Sequence, residues 1–92
     1  KQVHYRNLTT GEERKLTNTP SAKDAPHLYG NTVVWADKGS HGPDTVYWDI
    51  YRHDLVSGLT EKVNKRDGEL SNPITDGVGV VWFDRLRYGD MF

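Results

Sequence analysis

The chain has 92 residues, no cysteine, and 12 Lys plus Arg against 13 Asp plus Glu, for a formal net charge of -1. That length allows one small domain at most, whose folding buries only about 60% of the unfolded chain's surface. Without cysteine there are no disulfides, thiolate metal sites or thiol catalysis, and the balanced charge lacks the positive field that nucleic acid or an anionic membrane attracts. The longest apolar runs, such as residues 78–83, fall far short of the ~18 residues of a membrane helix, and Lys1 opens no signal-peptide pattern. No nucleic-acid partner and no membrane insertion are therefore expected.

Along the chain, short runs of Val, Ile, Tyr and Trp alternate with Gly, Pro, Asn, Asp and Ser, and no 3.6-residue apolar stripe persists, which predicts strands and no helix. Residues 3–16 read as a strand pair joined by Leu8-Thr9-Thr10-Gly11. Next come a first strand over 25–29 and a second over 32–37, linked by Gly30-Asn31, a two-residue hairpin signal because such turns need positive φ. A third strand is predicted over 45–54, with Val46, Trp48 and Ile50 on one side and Tyr47 and Tyr51 on the other, and a fourth over 60–64 after Leu55-Val56-Ser57-Gly58. Beyond residue 66 the first and second strands recur, with Asp76-Gly77 as their hairpin, and Asp90-Met91-Phe92 starts another third strand. Pro26 and Pro73 place the first strand at a sheet edge, where a missing N–H is tolerated.

The chain superposes on itself without a gap at an offset of 47 residues, the separation of Gly11 from Gly58. Leu8 falls on Leu55, Pro26 on Pro73, Gly30 on Gly77, and Val33-Val34-Trp35-x-Asp37 on Val80-Val81-Trp82-x-Asp84. A period in this range indicates a solenoid, a propeller or an array. Apolar residues on both faces of the second and third strands, with a charged fourth strand in Glu13-Arg14-Lys15 and Glu61-Lys62, fit a sheet packed between two neighbours. The expected fold is all-β, with four-stranded antiparallel β-propeller blades: 1–23 as the second half of one blade, 24–66 as a complete blade and 67–92 as the first half of the next. The alternative is a β-sandwich. Trp35 and Trp82 are expected at equivalent buried positions, with Gly11, Gly58, Gly30 and Gly77 as structural turn residues.

The motifs Asp49-Ile50-Tyr51, Asp54-Leu55, Ser57-Gly58, Pro73, Gly77 and Val80-Val81-Trp82, and in the first copy Thr10-Gly11-Glu12, Leu16-Thr17, Pro26, Gly30 and Val33-Val34-Trp35, resemble the TolB-like propeller repeats of bacterial periplasmic proteins and bacterial and archaeal surface proteins. The resemblance covers essentially the whole chain. The usual Ser-Pro-Asp-Gly of the first hairpin is replaced by Leu28-Tyr29-Gly30-Asn31 and Thr75-Asp76-Gly77, which looks more like the surface-protein branch than TolB itself. It implies an extracellular, cell-surface or periplasmic location. It also implies a non-enzymatic binding or scaffold role toward a protein or glycan, the alternative being a propeller attached to or forming a hydrolase or polysaccharide lyase.

Candidate chemistry is sparse. His4, His27, His41 and His53 show no H-x-x-x-H or H-E-x-x-H spacing, so no metal site is expected, and no Gly-x-Ser-x-Gly elbow supports a triad. Residues 37–44 contain oxygen ligands and glycines but lack the acidic alternation of a calcium loop. Gly77-Val78-Gly79 is turn chemistry with no helix to receive phosphate. Asn7-Leu8-Thr9 meets the glycosylation rule, which matters only in a secretory compartment. No cofactor is expected. In an antiparallel meander the loops 18–24, 38–44, 65–72 and 85–89 emerge at one rim, where His41, Lys65, Arg66, Arg85, Arg87 and Tyr88 are the candidate binding residues. Two blades cannot close a ring, so further blades in cis or a homo-oligomer in trans are expected, three copies giving about six blades.

Overall fold

The computed structural model describes residues 1–85, and Arg87 and Tyr88 lie outside the described residues. Among these residues there are eight strands: β1 (His4–Arg6), β2 (Glu13–Lys15), β3 (Lys23–Tyr29), β4 (Thr32–Asp37), β5 (Asp49–Asp54), β6 (Thr60–Lys62), β7 (Leu70–Thr75) and β8 (Val80–Asp84). One short 3-10 turn, Gly39–His41, follows β4. The fold is all-β, and all strand pairings within its three sheets are antiparallel: β1-β2, the four-stranded β3-β4-β5-β6, and β7-β8.

The three sheets are stacked. β4 turns Val33 and Trp35 to one face of the central sheet and Val34 and Ala36 to the other, because successive side chains alternate. On the first face Val33 and Trp35 pack with Leu55 and Val3, and Tyr5 and Leu16 of the β1-β2 layer close over them. On the second, Ala36 and Ile50 pack against Leu70, flanked by Trp48, Val63 and Val80. A sheet apolar on both faces needs a layer on each side, and the chain supplies half-sheets in both places.

The 47-residue repeat extends to single hydrogen bonds. Tyr5 pairs with Arg14 as Arg52 pairs with Glu61, and Leu28 pairs with Val33 as Thr75 pairs with Val80. The Val3 amide donates to Thr17 Oγ1 at 3.0 Å, and its counterpart on Ile50 donates to Asn64 Oδ1 at 2.7 Å. The Asn7 carboxamide oxygen accepts the amides of Thr9 and Thr10, as the Asp54 carboxylate accepts those of Val56 and Ser57. Gly11 and Gly58 end these turns at φ of 80° and 77°, which explains why only glycine recurs there. Both first strands carry a bulge, between Asp24 and His27 and between Ser71 and Ile74. Ala25 and Asn72 adopt φ of 53° and 51° inside these bulges, directly before Pro26 and Pro73. The prolines thus sit where no ladder hydrogen bond is lost, on an edge strand and in a bulge.

Three expectations change. The third strand begins at Asp49 rather than residue 45, and Val46 is 52% exposed instead of sharing an apolar face with Trp48 and Ile50. The cause is local: Lys38 Nζ donates to the carbonyls of Pro43 and Thr45 and lies over the Trp48 ring, while the Trp48 amide donates to the Gly68 carbonyl. Those bonds draw residues 42–48 into a loop. The fourth strand ends at Lys62, which frees Asn64 to act through its side chain. Finally, Trp35 is 1% exposed and Trp82 is 36% exposed, although their backbones are equivalent. Trp35 stacks on Tyr51 of β5 with ring centroids 6.2 Å apart, whereas among the described residues β8 pairs with β7 alone, so no such cross-strand neighbour covers Trp82.

Candidate functional site

All four expected rim loops are joined through hydrogen bonds and close side-chain pairs, the fourth through Arg85, its one described residue. The Lys38 amide donates to the Ala22 carbonyl at 2.9 Å, tying the loop after β4 to the start of β3. His41 Nε2 lies 3.9 Å from Asp67 Oδ1, which brings the 38–44 and 65–72 loops together. At the same end, the Arg85 amide donates to the Glu69 carbonyl at 3.0 Å. Of the candidate binding residues, His41 is half-buried, and Lys65, Arg66 and Arg85 are exposed. Lys65 and Arg66 border a recess of about 370 Å³ with Trp82 and Asp84. Gly30 and Gly58, in the hairpin turns, are exposed, and both adopt positive φ.

Beneath the rim lie two buried polar groups that the sequence reading missed. The first centres on Asp37. Its Oδ1 accepts the Ser21 hydroxyl at 2.6 Å and the Gly39 amide at 2.8 Å, and its Oδ2 accepts Trp35 Nε1 at 3.2 Å and faces Lys23 Nζ at 3.8 Å. The Lys23 ammonium donates to the carbonyls of Thr19 at 2.8 Å and Ser21 at 2.7 Å. Both side chains are buried, a costly arrangement that is stable only because each charge is paired and hydrogen-bonded. This network anchors the 18–24 loop to the end of β4.

The second group centres on Asp49. Its Oδ1 accepts Asn64 Nδ2 at 3.0 Å, and its Oδ2 lies 3.0 Å from His41 Nε2. That contact lacks the alignment of a hydrogen bond, and the His41 nitrogen is buried with no hydrogen-bond partner. Ligand atoms of His41, Asp49 and Asp67 all lie within 4.8 Å of one another, a donor set of the type that holds a divalent transition-metal ion, although they come from three separate segments. No local spacing announces such a set. Gly39 closes over it: a Cβ there would lie 3.1 Å from Tyr51 Oη and 3.4 Å from Asp49 Oδ2, and its φ of 55° independently favours glycine. Burial, with the Asp49 and Asp37 carboxylates nearby, pushes the Tyr51 hydroxyl above its ordinary pKa, so it remains a neutral phenol.

Two of the remaining histidines make structural contacts. His53 Nδ1 lies 2.7 Å from Thr60 Oγ1, and burial, reinforced by the Arg14 guanidinium, lowers its pKa below the ordinary histidine value. His27 Nδ1 accepts the Thr75 amide at 3.3 Å and links β3 to β7. His4 is exposed on β1.

A larger recess of about 1190 Å³ opens over the first face of the central sheet, bordered by Leu16, Lys23, Trp35, Asp37, Trp48 and Tyr51 among others. Its walls are the two β-layers and the 18–24 and 38–44 loops. Comparison with protein-family models, curated proteins and solved structures finds no match to this chain.

Proposed function

We propose that the chain is a TolB-like segment of a β-propeller that acts as a non-catalytic binding or scaffold element of a secreted, periplasmic or cell-surface protein, engaging a protein or glycan through its rim loops. The observation that carries this reading is the connection of the 18–24, 38–44 and 65–72 loops at one end of a rigid repeated scaffold, through the Lys38–Ala22 hydrogen bond and the His41–Asp67 pair. Loops fixed in this way present side chains at defined spacing, the usual route by which a β-scaffold acquires specificity. Repeated turn, bulge and capping geometry supports a common unit, and the apolar faces of the central sheet support packing between neighbouring units.

The contact surface comprises His41, Lys65, Arg66 and Arg85, with Asp67 beside them. A mixed row of cations and a carboxylate suits the hydroxyls and uronate groups of an acidic glycan, or a charged protein surface. The test is a panel of neutral and acidic oligosaccharides, together with candidate surface proteins, measured by biolayer interferometry. Lys65→Ala, Arg66→Ala and Arg85→Ala should each weaken the ligand found, and Asn31→Ala and Ser57→Ala at the opposite end should not. Binding that survives all three rim changes and is lost on Asn31→Ala or Ser57→Ala would refute the assignment.

A further inference from the structure

We propose that His41, Asp49 and Asp67 together bind one divalent transition-metal ion, with zinc as the best fit. The donors are His41 Nε2, Asp49 Oδ2 and an Asp67 carboxylate oxygen, from three segments that meet within 4.8 Å. The inference goes beyond the rim-loop reading and does not depend on it. Two independent features point to an ion. The first is a pair of unsatisfied atoms: His41 Nε2 is buried with no hydrogen-bond partner, and it faces Asp49 Oδ2 at 3.0 Å in a contact that lacks hydrogen-bond alignment. The Asp49 side chain is only 4% exposed. Buried polar atoms that face each other without a bond are costly, whereas a shared cation satisfies both, with the ring in its Nδ1–H tautomer.

The second feature is charge. Asp49 stands directly opposite Asp37 in the β4–β5 register, and both carboxylates are buried. Like charges opposite one another across a ladder repel. Asp37 has the Lys23 ammonium at 3.8 Å, but among the described residues no lysine or arginine forms an ion pair with Asp49, and only His41 stands beside it. Asp67 brings a further carboxylate to 3.9 Å from the same His41 nitrogen. A divalent cation neutralises Asp49 and Asp67 together, whereas a proton on His41 offsets only one of the two charges.

The geometry and its supports fit zinc. Nitrogen and oxygen ligands lie ~2.0–2.2 Å from zinc, so tetrahedral donors stand roughly 3.3 Å apart. The His41–Asp49 and His41–Asp67 separations of 3.0 and 3.9 Å bracket that spacing, and the largely exposed Asp67 side chain has room to rotate inward. Asn64 holds the buried ligand in place: its Oδ1 accepts the Ile50 amide at 2.7 Å and its Nδ2 donates to Asp49 Oδ1 at 3.0 Å, which leaves Oδ2 turned to His41. Outer contacts of this kind orient metal-binding carboxylates. The Trp48 amide donates to the Gly68 carbonyl at 3.0 Å, and Trp48 bridges to Glu69, so the backbone sets Asp67 beside the start of β5. Gly39, whose Cβ would press on Tyr51 Oη at 3.1 Å, keeps the space next to Asp49 Oδ2 free. Three protein ligands leave a further position for water or an anionic group of a bound molecule. The imidazole favours zinc over calcium and magnesium, which take oxygen ligands.

The cysteine-free chain permits a direct test, since no thiolate competes for the ion. The chain is dialysed against a chelator and titrated with ZnCl2 by isothermal titration calorimetry, and long-range 1H–15N spectra follow the imidazole nitrogens. About one zinc per chain is expected, with the coordination shift at His41 Nε2. CaCl2 and MgCl2 should bind at least roughly tenfold more weakly. Asp67→Asn, at an exposed position, should weaken zinc binding by roughly tenfold or more, and His41→Gln and Asp49→Asn by at least as much. His4→Gln should leave it unchanged. Circular dichroism checks that each variant keeps its β signal, and Asp67→Asn with His41→Gln decides the matter should Asp49→Asn fold poorly. Absence of zinc uptake, uptake that survives Asp67→Asn and His41→Gln, or a spectral shift confined to His4, His27 or His53 overturns the inference. A chain that takes no zinc and carries a protonated His41 also overturns it, with a proton as the cation between the two loops.

Discussion

The strand pairs β3-β4 and β7-β8 share a fold down to a bulge and a positive-φ residue before proline, yet the second strand β4 is almost wholly buried and its counterpart β8 is largely exposed. Trp35 is enclosed by Tyr51, Leu55 and Val3; Trp82, at the same point of the same local structure, is partly open. Asp37 sits in a closed network with Lys23, and Asp84 is exposed beside Leu70 at the position equivalent to Lys23. Local sequence therefore sets the hairpin and its bulge, whereas burial is set by the neighbour that the second strand receives.

The largest separation between the two regions is expected on truncating the tryptophans. Trp35→Ala should cost about 3–5 kcal/mol in urea denaturation, because it leaves a cavity between the first-face layers. Trp82→Ala should cost about 1 kcal/mol or less in the dilute chain. Equal costs would break the comparison.

Next is the buried Lys23–Asp37 ion pair, at whose lysine position the repeat places Leu70. Lys23→Ala should cost about 3 kcal/mol by leaving the buried Asp37 carboxylate without its cation.

A pH effect reports on the burial within β5. The folded state lowers the His53 pKa, chiefly through burial, so the unfolded chain takes up the proton first. Stability from this group is complete above the unfolded value of about 6.5 and falls as pH drops through it toward the folded value. His53→Gln should flatten the melting-temperature profile across that window.

The smallest effect concerns the twin bulges. Ala25 has a side chain that disfavours its φ of 53°, whereas Asn72 belongs to a type that tolerates it. Ala25→Gly should stabilise the fold by about 1 kcal/mol and Asn72→Gly by much less, both read by thermal unfolding.

The repeat, both hairpins and the edge position of the prolines were legible because turn glycines, Pro26 and Pro73 report backbone needs that no tertiary context changes. The start of β5 was not: the alternation of Val46, Trp48 and Ile50 continues a strand pattern, and only the reach of Lys38 across to Pro43 and Thr45 shows why residues 42–48 leave it. The Asp49 grouping was equally hidden, since His41 and Asp67 meet through two loops separated by a strand pair. Lys23 gave no sign of burial, because its partner Asp37 lies across the β3-β4 ladder and its repeat counterpart is Leu70.

The central claim, that the cross-strand neighbour and not the local sequence sets the burial of two equivalent second strands, is tested most directly by 19F NMR of protein labelled with 5-fluorotryptophan. The three resonances of Trp35, Trp48 and Trp82 can be resolved, with the H2O-to-D2O shift reporting solvent contact at each indole. The Trp82 signal should show a solvent shift, while the Trp35 signal shows none. A Trp82 signal as protected as that of Trp35 would contradict the account.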